Sequence, residues 1–167
     1  MRRAVLLLAV AVAALAATLA GGRGDDPSAA GATARIERVV DGDTVVVRVD
    51  GRRERVRYIG IDTPESVRPD APDECYGERA AAENRRLVEG RRVRLVLDAE
   101  ERDRFGRLLA YVYRAEDGRF VNAALVRGGH ARTLTIAPNV RFVARFGRLA
   151  AEARRAGRGL WSACGRA

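Results

Sequence analysis

A series of short β-branched runs, divided by two Asp-Gly pairs, limits the fold of this chain more than any other feature of its sequence. Asp41-Gly42 separates the run at 34–40 from the run at 44–49, and Asp50-Gly51 separates the second run from a third at 53–61. An Asp-Gly pair between such runs favours a type I′ hairpin turn, because both central residues of that turn need positive φ. The sequence therefore predicts a three-stranded antiparallel meander.

The rest of the chain alternates between helical and extended patterns. Alternating apolar residues at 92–97 predict a fourth strand, and the run at 108–113 predicts a fifth. Apolar residues at helical spacing predict three helices that end near Gly90, Gly128 and Gly157. The resulting order, β-β-β-α-β-β-α-α, is typical of the OB-fold, a partly open five-stranded Greek-key barrel. We therefore predict an α+β fold that is mainly a β-barrel with three helices.

The N-terminal segment is typical of an exported protein. Two arginines precede an apolar run at 4–20, and a stretch rich in Gly, Ala, Ser and Asp follows. We expect residues 1–20 to be a signal peptide, 21–33 a flexible linker and 34–167 the folded domain. The predicted location is secreted or periplasmic, with a membrane anchor at residues 4–20 as the alternative. We expect a monomer with no stable protein partner and no other membrane contact.

The chain contains two cysteines, Cys75 and Cys164, and a single histidine. In an oxidising compartment such a pair is most simply explained as a disulfide, although two buried free thiols are the competing interpretation. These numbers exclude a four-cysteine zinc site and disfavour a zinc centre built from histidines.

Charge adds a preference for a negatively charged partner. The chain has 31 basic residues, all of them Arg, against 22 acidic ones, and its formal net charge is +9. This excess favours a polyanion such as nucleic acid. Because Arg without Lys is also what a G+C-rich coding sequence produces, the charge alone identifies no ligand. Any catalysis would have to rely on carboxylates, Arg, Tyr or a hard metal ion.

Charged residues cluster at three strand ends, in the segments VVDGDTV, VRYIGIDTPE and DRFGRLLAYV. Each cluster alone has an ordinary explanation in turn chemistry. Together, in this order and on this strand plan, they resemble the staphylococcal nuclease (thermonuclease) family. The resemblance extends from about Ala34 to Trp161, nearly the whole predicted domain.

The resemblance implies an OB-fold enzyme that cleaves DNA and RNA with Ca²⁺ and leaves 3′-phosphates. The metal ligands that it implies are two carboxylates and one backbone carbonyl, those of Asp43, Asp62 and Thr63. The catalytic residues that it implies are two phosphate-binding arginines and one carboxylate that holds the attacking water, namely Arg57, Arg107 and Glu65. Hard oxygen ligands suit Ca²⁺, and planar guanidinium groups suit phosphate.

Three further residues are weaker candidates for substrate contact: Arg104, Tyr76 and Arg132. The family often carries tyrosines just before a Pro-Asn pair, whereas this chain has Leu134, Thr135, Ile136 and Ala137 there, and Phe105 stands where a Tyr can occur. Base stacking contributes about 1 to 3 kcal/mol per base, so we expect weaker nucleotide binding with the catalytic groups intact. Single-stranded or denatured nucleic acid is the expected substrate.

A second function stays open at this point: a non-catalytic OB-fold module that only binds nucleic acid or another polyanion. The carboxylates at 43, 62 and 65 favour the nuclease, because a pure binder gains nothing from acidic groups facing a phosphate unless a metal lies between them.

Overall fold

Five strands form a closed barrel in the computed structural model, which describes residues 31–66 and 74–165. The barrel strands are β1 (Ala32–Val39), β2 (Thr44–Val49), β3 (Arg52–Tyr58), β5 (Arg92–Val96) and β6 (Leu108–Arg114). Two short strands, β4 (Ile61–Asp62) and β7 (Arg132–Thr133), pair with each other beside it. The helices are α1 (Gly77–Val88), α2 (Val121–Arg127), α3 (Val143–Arg155) and α4 (Leu160–Ala163).

The strand order around the barrel is β1-β2-β3-β6-β5, and β1 closes it by pairing with β5. All neighbouring pairs are antiparallel except β3 and β6, which are parallel. The predicted meander and α+β barrel are confirmed. The barrel is closed rather than partly open, since β1 pairs with β5 over Ala32 to Arg35 and with β2 from Arg35 to Val39. The pairing with β2 has an irregularity between Ile36 and Arg38.

The two Asp-Gly turns differ. Asp50 and Gly51 have φ of 48° and 77°, as the predicted type I′ turn requires. The same prediction is wrong for Asp41-Gly42, because neither residue has positive φ. Instead the Asp41 carboxylate accepts a hydrogen bond from the backbone N–H of Asp43 at 2.9 Å, which forms a wider Asx-type turn.

The predicted third strand at 53–61 is divided in two by Gly60. Its φ is 79°, and a Cβ at this position would lie 2.6 Å from the ring of Phe146. The chain therefore turns sharply between β3 and β4. This turn brings Thr63 against the turn between β1 and β2, where a Cβ on Gly42 would lie 2.6 Å from the Thr63 hydroxyl oxygen.

The barrel core is continuous with a helical layer. Asn122 of α2 is fully buried, accepts the Val112 N–H at 2.9 Å and donates to the Ile59 carbonyl at 2.9 Å. It thereby fixes α2 both to β6 and to the turn between β3 and β4. The four-residue α4 was not predicted, and its Leu160 side chain is buried, with 1% of it exposed.

The structure starts β1 at Ala32, so the last two positions of the predicted linker belong to the barrel. The predicted signal peptide or anchor lies outside the described residues. Within 31–66 and 74–165, no helix combines the length and the apolar character that crossing a membrane requires.

Candidate active site

Asp43 is the central carboxylate of the site and is only 4% exposed. Its Oδ2 accepts hydrogen bonds from the backbone N–H of Thr63 at 2.8 Å and from the Thr63 hydroxyl at 3.0 Å. Its Oδ1 accepts from the Thr44 hydroxyl at 3.2 Å and forms an ion pair with Arg57 Nε at 3.0 Å. The turn after β1, the end of β3 and the segment after β4 therefore meet at this one side chain.

Arg57 joins the two predicted metal-ligand carboxylates. Its Nε contacts Asp43, and its Nη2 donates to Asp62 Oδ1 at 2.9 Å. Its Nη1 donates to the carbonyls of Tyr58 and Ile61, both at 2.7 Å. Four of its five N–H groups are thus occupied within the protein. In this arrangement one N–H of Arg57 is left for a phosphate oxygen.

Burial sets the protonation behaviour of Asp43. Desolvation raises its pKa to about 7, and the nearby Asp41 carboxylate adds to that rise. The Arg57 guanidinium and the hydrogen bonds from Thr63 lower the pKa only in part. A cation bound beside this carboxylate would favour its charged form, because an opposite charge stabilises the anion.

The donor set around Arg57 suits a hard divalent cation. Asp43 and Asp62 are held by a single guanidinium, and the chain continues directly into Thr63, whose carbonyl is a further oxygen donor. Within residues 31–66 and 74–165, no three acidic, His or Cys side chains converge on one point. A Ca²⁺ ion held here would therefore complete its coordination with water and substrate oxygens.

Glu65 lies two residues beyond Thr63 on a segment with few regular hydrogen bonds. Its Oε1 accepts the backbone N–H of Ser66 at 3.0 Å. Its own backbone is tied to Glu74, since Glu65 N–H donates to the Glu74 carboxylate at 3.2 Å and Glu74 N–H donates to the Glu65 carbonyl at 2.8 Å. Glu74, which precedes α1, thus fixes the backbone of the residue that carries the predicted catalytic carboxylate.

Arg107 is positioned by Asp103 in the loop between β5 and β6. Its Nε donates to Asp103 Oδ2 at 2.6 Å, and its backbone N–H donates to Oδ1 at 2.9 Å. Burial raises the pKa of Asp103, but hydrogen bonds from Arg107 and Phe105 outweigh that effect and hold it below its ordinary value. Asp103 therefore stays ionised and orients Arg107, whose Nη groups form no hydrogen bond with the described residues.

A groove of about 500 Å³ runs between the two arginines. Arg57 and Arg107 both line it, together with Arg104 and a set of exposed apolar side chains. These are Phe105, Leu134 and Ile136, which are 69%, 38% and 61% exposed. The Phe105 ring lies beside Arg104, 4.7 Å from its guanidinium carbon, and 5.6 Å from that of Arg107. The groove thus has three arginines against two carboxylates, Glu100 and Asp103, which leaves it with a net positive charge and an apolar wall.

The structure separates the other two weaker candidates from this groove. The Tyr76 hydroxyl lies 3.4 Å from His130 Nδ1, and Tyr76 does not line the groove. Arg132 pairs with Asp62 through the backbone of β7, but its guanidinium carbon lies 5.8 Å from the Trp161 ring. Of the three weaker candidates, the geometry thus places only Arg104 in the groove.

Asn84 supports the site, although its position in the apolar stripe of the predicted first helix does not mark it as a site residue. It is fully buried, accepts the Tyr58 hydroxyl at 3.0 Å and donates to the Asp41 carbonyl at 3.0 Å. The signal that could have identified it is an amide in an otherwise apolar helical face. A buried amide needs polar partners, and here one of them is the turn that carries Asp43.

Gly42→Ala is expected to damage this site without touching any charged group. The new Cβ would lie within 2.7 Å of the Thr63 side chain, so Thr63 would have to move and weaken its hydrogen bonds to Asp43. A misplacement of about 1 Å costs up to about 100-fold in rate. We expect kcat/KM on denatured DNA to fall by about 10- to 100-fold.

Gly147→Ala is the matched control, because this exposed glycine of α3 has open space around the added Cβ. It should keep full activity and gain up to about 1 kcal/mol in stability. Equal kcat/KM values for the two variants would show that the close approach of Gly42 to Thr63 is not needed for activity.

Comparison with known proteins agrees with the resemblance seen in the sequence. The family model described as "Staphylococcal nuclease homologue" matches residues 55–163. Thermonuclease of Staphylococcus hyicus is 37% identical over 130 residues, which cover 78% of this chain and 76% of the relative. Thermonuclease of Staphylococcus intermedius is 37% identical over 142 residues, 83% of each chain. Endonuclease YncB of Bacillus subtilis is 37% identical over 132 residues, 78% of this chain and 62% of the relative.

Proposed function

This chain belongs to the staphylococcal nuclease family, and on that premise we propose that it hydrolyses DNA and RNA with Ca²⁺ to products that end in 3′-phosphate. Its relatives named thermonuclease and endonuclease make it a nuclease, a hydrolase of phosphodiester bonds. The ion, the cleaved bond and the site residues are the new parts of the proposal.

One observation carries the proposal: Arg57 lines a cationic groove and at the same time holds Asp43 and Asp62. A phosphate in the groove would lie next to two carboxylates. Such a juxtaposition is unfavourable unless a cation intervenes, and it is useful when one does.

The proposed reaction is in-line attack of water on phosphorus. Glu65 orients the water and accepts its proton as the new P–O bond forms. Arg107, with the remaining N–H of Arg57, donates hydrogen bonds to the phosphoryl oxygens as negative charge builds on them. The bond from phosphorus to the 5′ oxygen then breaks, and that oxygen takes a proton from solvent, so the phosphate stays on the 3′ side.

Asp43, Asp62 and the Thr63 carbonyl would hold the Ca²⁺ ion. When bound, the ion supplies Lewis-acid stabilisation of charge on the phosphoryl oxygens. Asp103 takes no direct part, but it fixes Arg107 in the orientation that leaves the Nη groups available. Arg104 and Phe105 are proposed to contact the nucleotide next to the scissile phosphate, through a phosphate and a base face respectively.

End-group analysis of the products tests the direction of cleavage. If the 5′ oxygen leaves, the fragments carry a free 5′-hydroxyl, so a kinase can add labelled phosphate to them directly. A polymerase should not extend them until a phosphatase removes the 3′-phosphate. Fragments that a polymerase extends without phosphatase treatment would overturn the proposed bond cleavage while leaving the nuclease activity itself intact.

We also propose export through residues 1–20, with formation of a disulfide between Cys75 and Cys164. The two cysteines lie side by side with their Cα atoms 5.7 Å apart, 89 positions apart in sequence. The bond would connect the segment that holds Glu65 to the end of α4. Loop-closure entropy gives an upper contribution of about 4 to 5 kcal/mol for a loop of this length.

Cys75→Ser is therefore expected to lower the free energy of unfolding by up to about 4 kcal/mol in urea titration under oxidising conditions. Treatment of the native chain with reductant should produce the same loss, and the variant should not respond to reductant. Indistinguishable urea midpoints for the variant and the oxidised native chain would contradict the disulfide.

A further inference from the structure

A second cationic cavity lies apart from the proposed active site, on the helical layer. Its volume is about 430 Å³, and no residue lines both this cavity and the active-site groove. Four arginines from three chain segments line it together with one carboxylate: Arg119, Arg127, Arg145, Arg158 and Glu83. We refer to it as the arginine cavity.

Three of the four arginines in the arginine cavity have no carboxylate partner among the described residues. Glu83 is already engaged by Arg86, which contacts its two carboxylate oxygens at 2.7 and 2.6 Å from outside the cavity lining. Within residues 31–66 and 74–165, no carboxylate forms an ion pair with the side chains of Arg119, Arg127 or Arg158. Three guanidinium groups of the lining therefore lack a carboxylate partner among the described residues, and a fifth arginine already engages the one carboxylate in the lining.

The walls of the arginine cavity are held in place by the fold. Arg158 Nη1 donates to the Arg127 carbonyl at 3.3 Å, so the segment after α3 is tied to the last turn of α2. The Arg145 guanidinium carbon lies 5.2 Å from the ring of Phe120. Burial, and to a smaller extent the neighbouring Arg148, lowers the pKa of Arg145.

The chemistry of the lining selects an anion with several charged oxygens. Guanidinium groups bind phosphate oxygens through planar, paired N–H donors. Phe120 is the only aromatic side chain in the lining, and it is 8% exposed with Arg145 over its ring. The described lining thus offers more polar than apolar surface to a ligand.

We propose that the arginine cavity is a second nucleic-acid site, which binds backbone phosphates of a strand at a distance from the bond that is cut. This proposal rests on the nuclease function, because that function supplies the polyanion. A strand that binds both sites is held at the arginine cavity through its phosphates alone, so this second site does not select for base sequence. Long substrates then gain affinity that a single nucleotide cannot obtain.

The test uses the full chain, a fluorescently labelled 30-nucleotide single-stranded DNA and EDTA to prevent cleavage. Each phosphate contact on a single strand contributes about 0.7 to the slope of log affinity against log salt concentration. Arg119→Gln with Arg127→Gln should therefore reduce that slope by about 1.4, and each single substitution by about 0.7. Because both side chains are exposed, the variants should fold, and the single variants keep the test available if the double variant does not.

Arg35→Gln with Arg92→Gln is the matched control. These two exposed arginines face each other across β1 and β5, and their removal lowers the net charge by the same amount. The control should change the slope much less than the cavity variant. Equal changes in both would overturn the proposal, since they would show that the strand responds only to overall charge.

A small substrate separates this proposal from the nuclease function. Hydrolysis of a single-nucleotide p-nitrophenyl phosphodiester, with Ca²⁺ present, should be unchanged in the cavity variant, while KM for long denatured DNA should rise. If the native chain hydrolyses neither substrate, the proposed function fails. The binding measurement in EDTA still tests whether the arginine cavity binds the strand. Parallel loss on both substrates in the cavity variant would contradict a separate site.

Discussion

Glu65→Gln is expected to lower kcat on denatured DNA by about 100- to 10,000-fold, the range that a positioned general base contributes. Glutamine keeps the size of the side chain, and its carbonyl oxygen can still accept the Ser66 N–H that now contacts Glu65 Oε1 at 3.0 Å. It cannot accept a proton from water. Because the loss falls on the chemical step, we expect binding of DNA in EDTA to stay within about twofold of the native value.

Glu78→Gln provides the control for Glu65→Gln. This exposed carboxylate lies in the first turn of α1, and Arg85 at 3.8 Å is its nearest ion-pair partner. It should be fully active, since exposed pairs of this kind contribute little. A kcat for Glu65→Gln within threefold of native would remove Glu65 from the chemistry and leave the arginines and the metal to account for catalysis.

Arg57→Ala has the second large expected effect, and it acts on stability as well as activity. The substitution leaves Asp43, 4% exposed, without its ion-pair partner. Removing one member of a buried pair costs about 3 to 5 kcal/mol, because the remaining charge is buried alone. Part of that cost is avoided where Asp43 takes up a proton, since its pKa already lies at about 7 and would rise further. The loss measured by urea unfolding should therefore be smaller near pH 6 and grow as the pH is raised above 7.

The double variant Arg57→Ala with Asp43→Asn distinguishes the two roles of Arg57. Replacing the unpaired Asp43 carboxylate with an amide should recover much of the lost stability, while kcat stays at the level of Arg57→Ala or lower. Unchanged stability in the single variant would contradict the buried pair. Recovery of activity in the double variant would show that Arg57 matters only for folding.

The sequence predicted the barrel strands because their cause is local. β-branched runs and the Asp50-Gly51 turn carry the information for β1 to β3 within a few residues. The Asp41-Gly42 turn failed as a type I′ prediction because a side chain, the Asp41 carboxylate, captured the Asp43 N–H. The Asp-Gly pair alone does not distinguish such an Asx-type turn from a type I′ turn.

The division of the third strand at Gly60 was equally hidden, because its cause lies far along the chain. Only the position of Phe146 in α3 shows why a side chain at residue 60 has no room. Long-range packing of this kind leaves no local pattern in the sequence.

The predicted site residues came from resemblance, and the structure adds what supports them. Arg57 contacts both Asp43 and Asp62, and Thr63 contacts Asp43. Arg107 lines the same groove as Arg57. The near saturation of Arg57 by protein partners could not be predicted, since two of those partners are backbone carbonyls. The role of Asn84 was hidden for the same reason, because it binds a turn 43 residues away through the backbone.

The most direct test of the account is digestion of heat-denatured DNA by the purified chain with Ca²⁺ and, in parallel, with EGTA. We predict cleavage with Ca²⁺, loss of cleavage with EGTA, recovery when Ca²⁺ is restored in excess, and failure of Glu65→Gln to cleave at a comparable rate under any of these conditions. DNA that is bound but stays intact with Ca²⁺ and with EGTA alike would contradict the account and identify the chain as a non-catalytic OB-fold binding module.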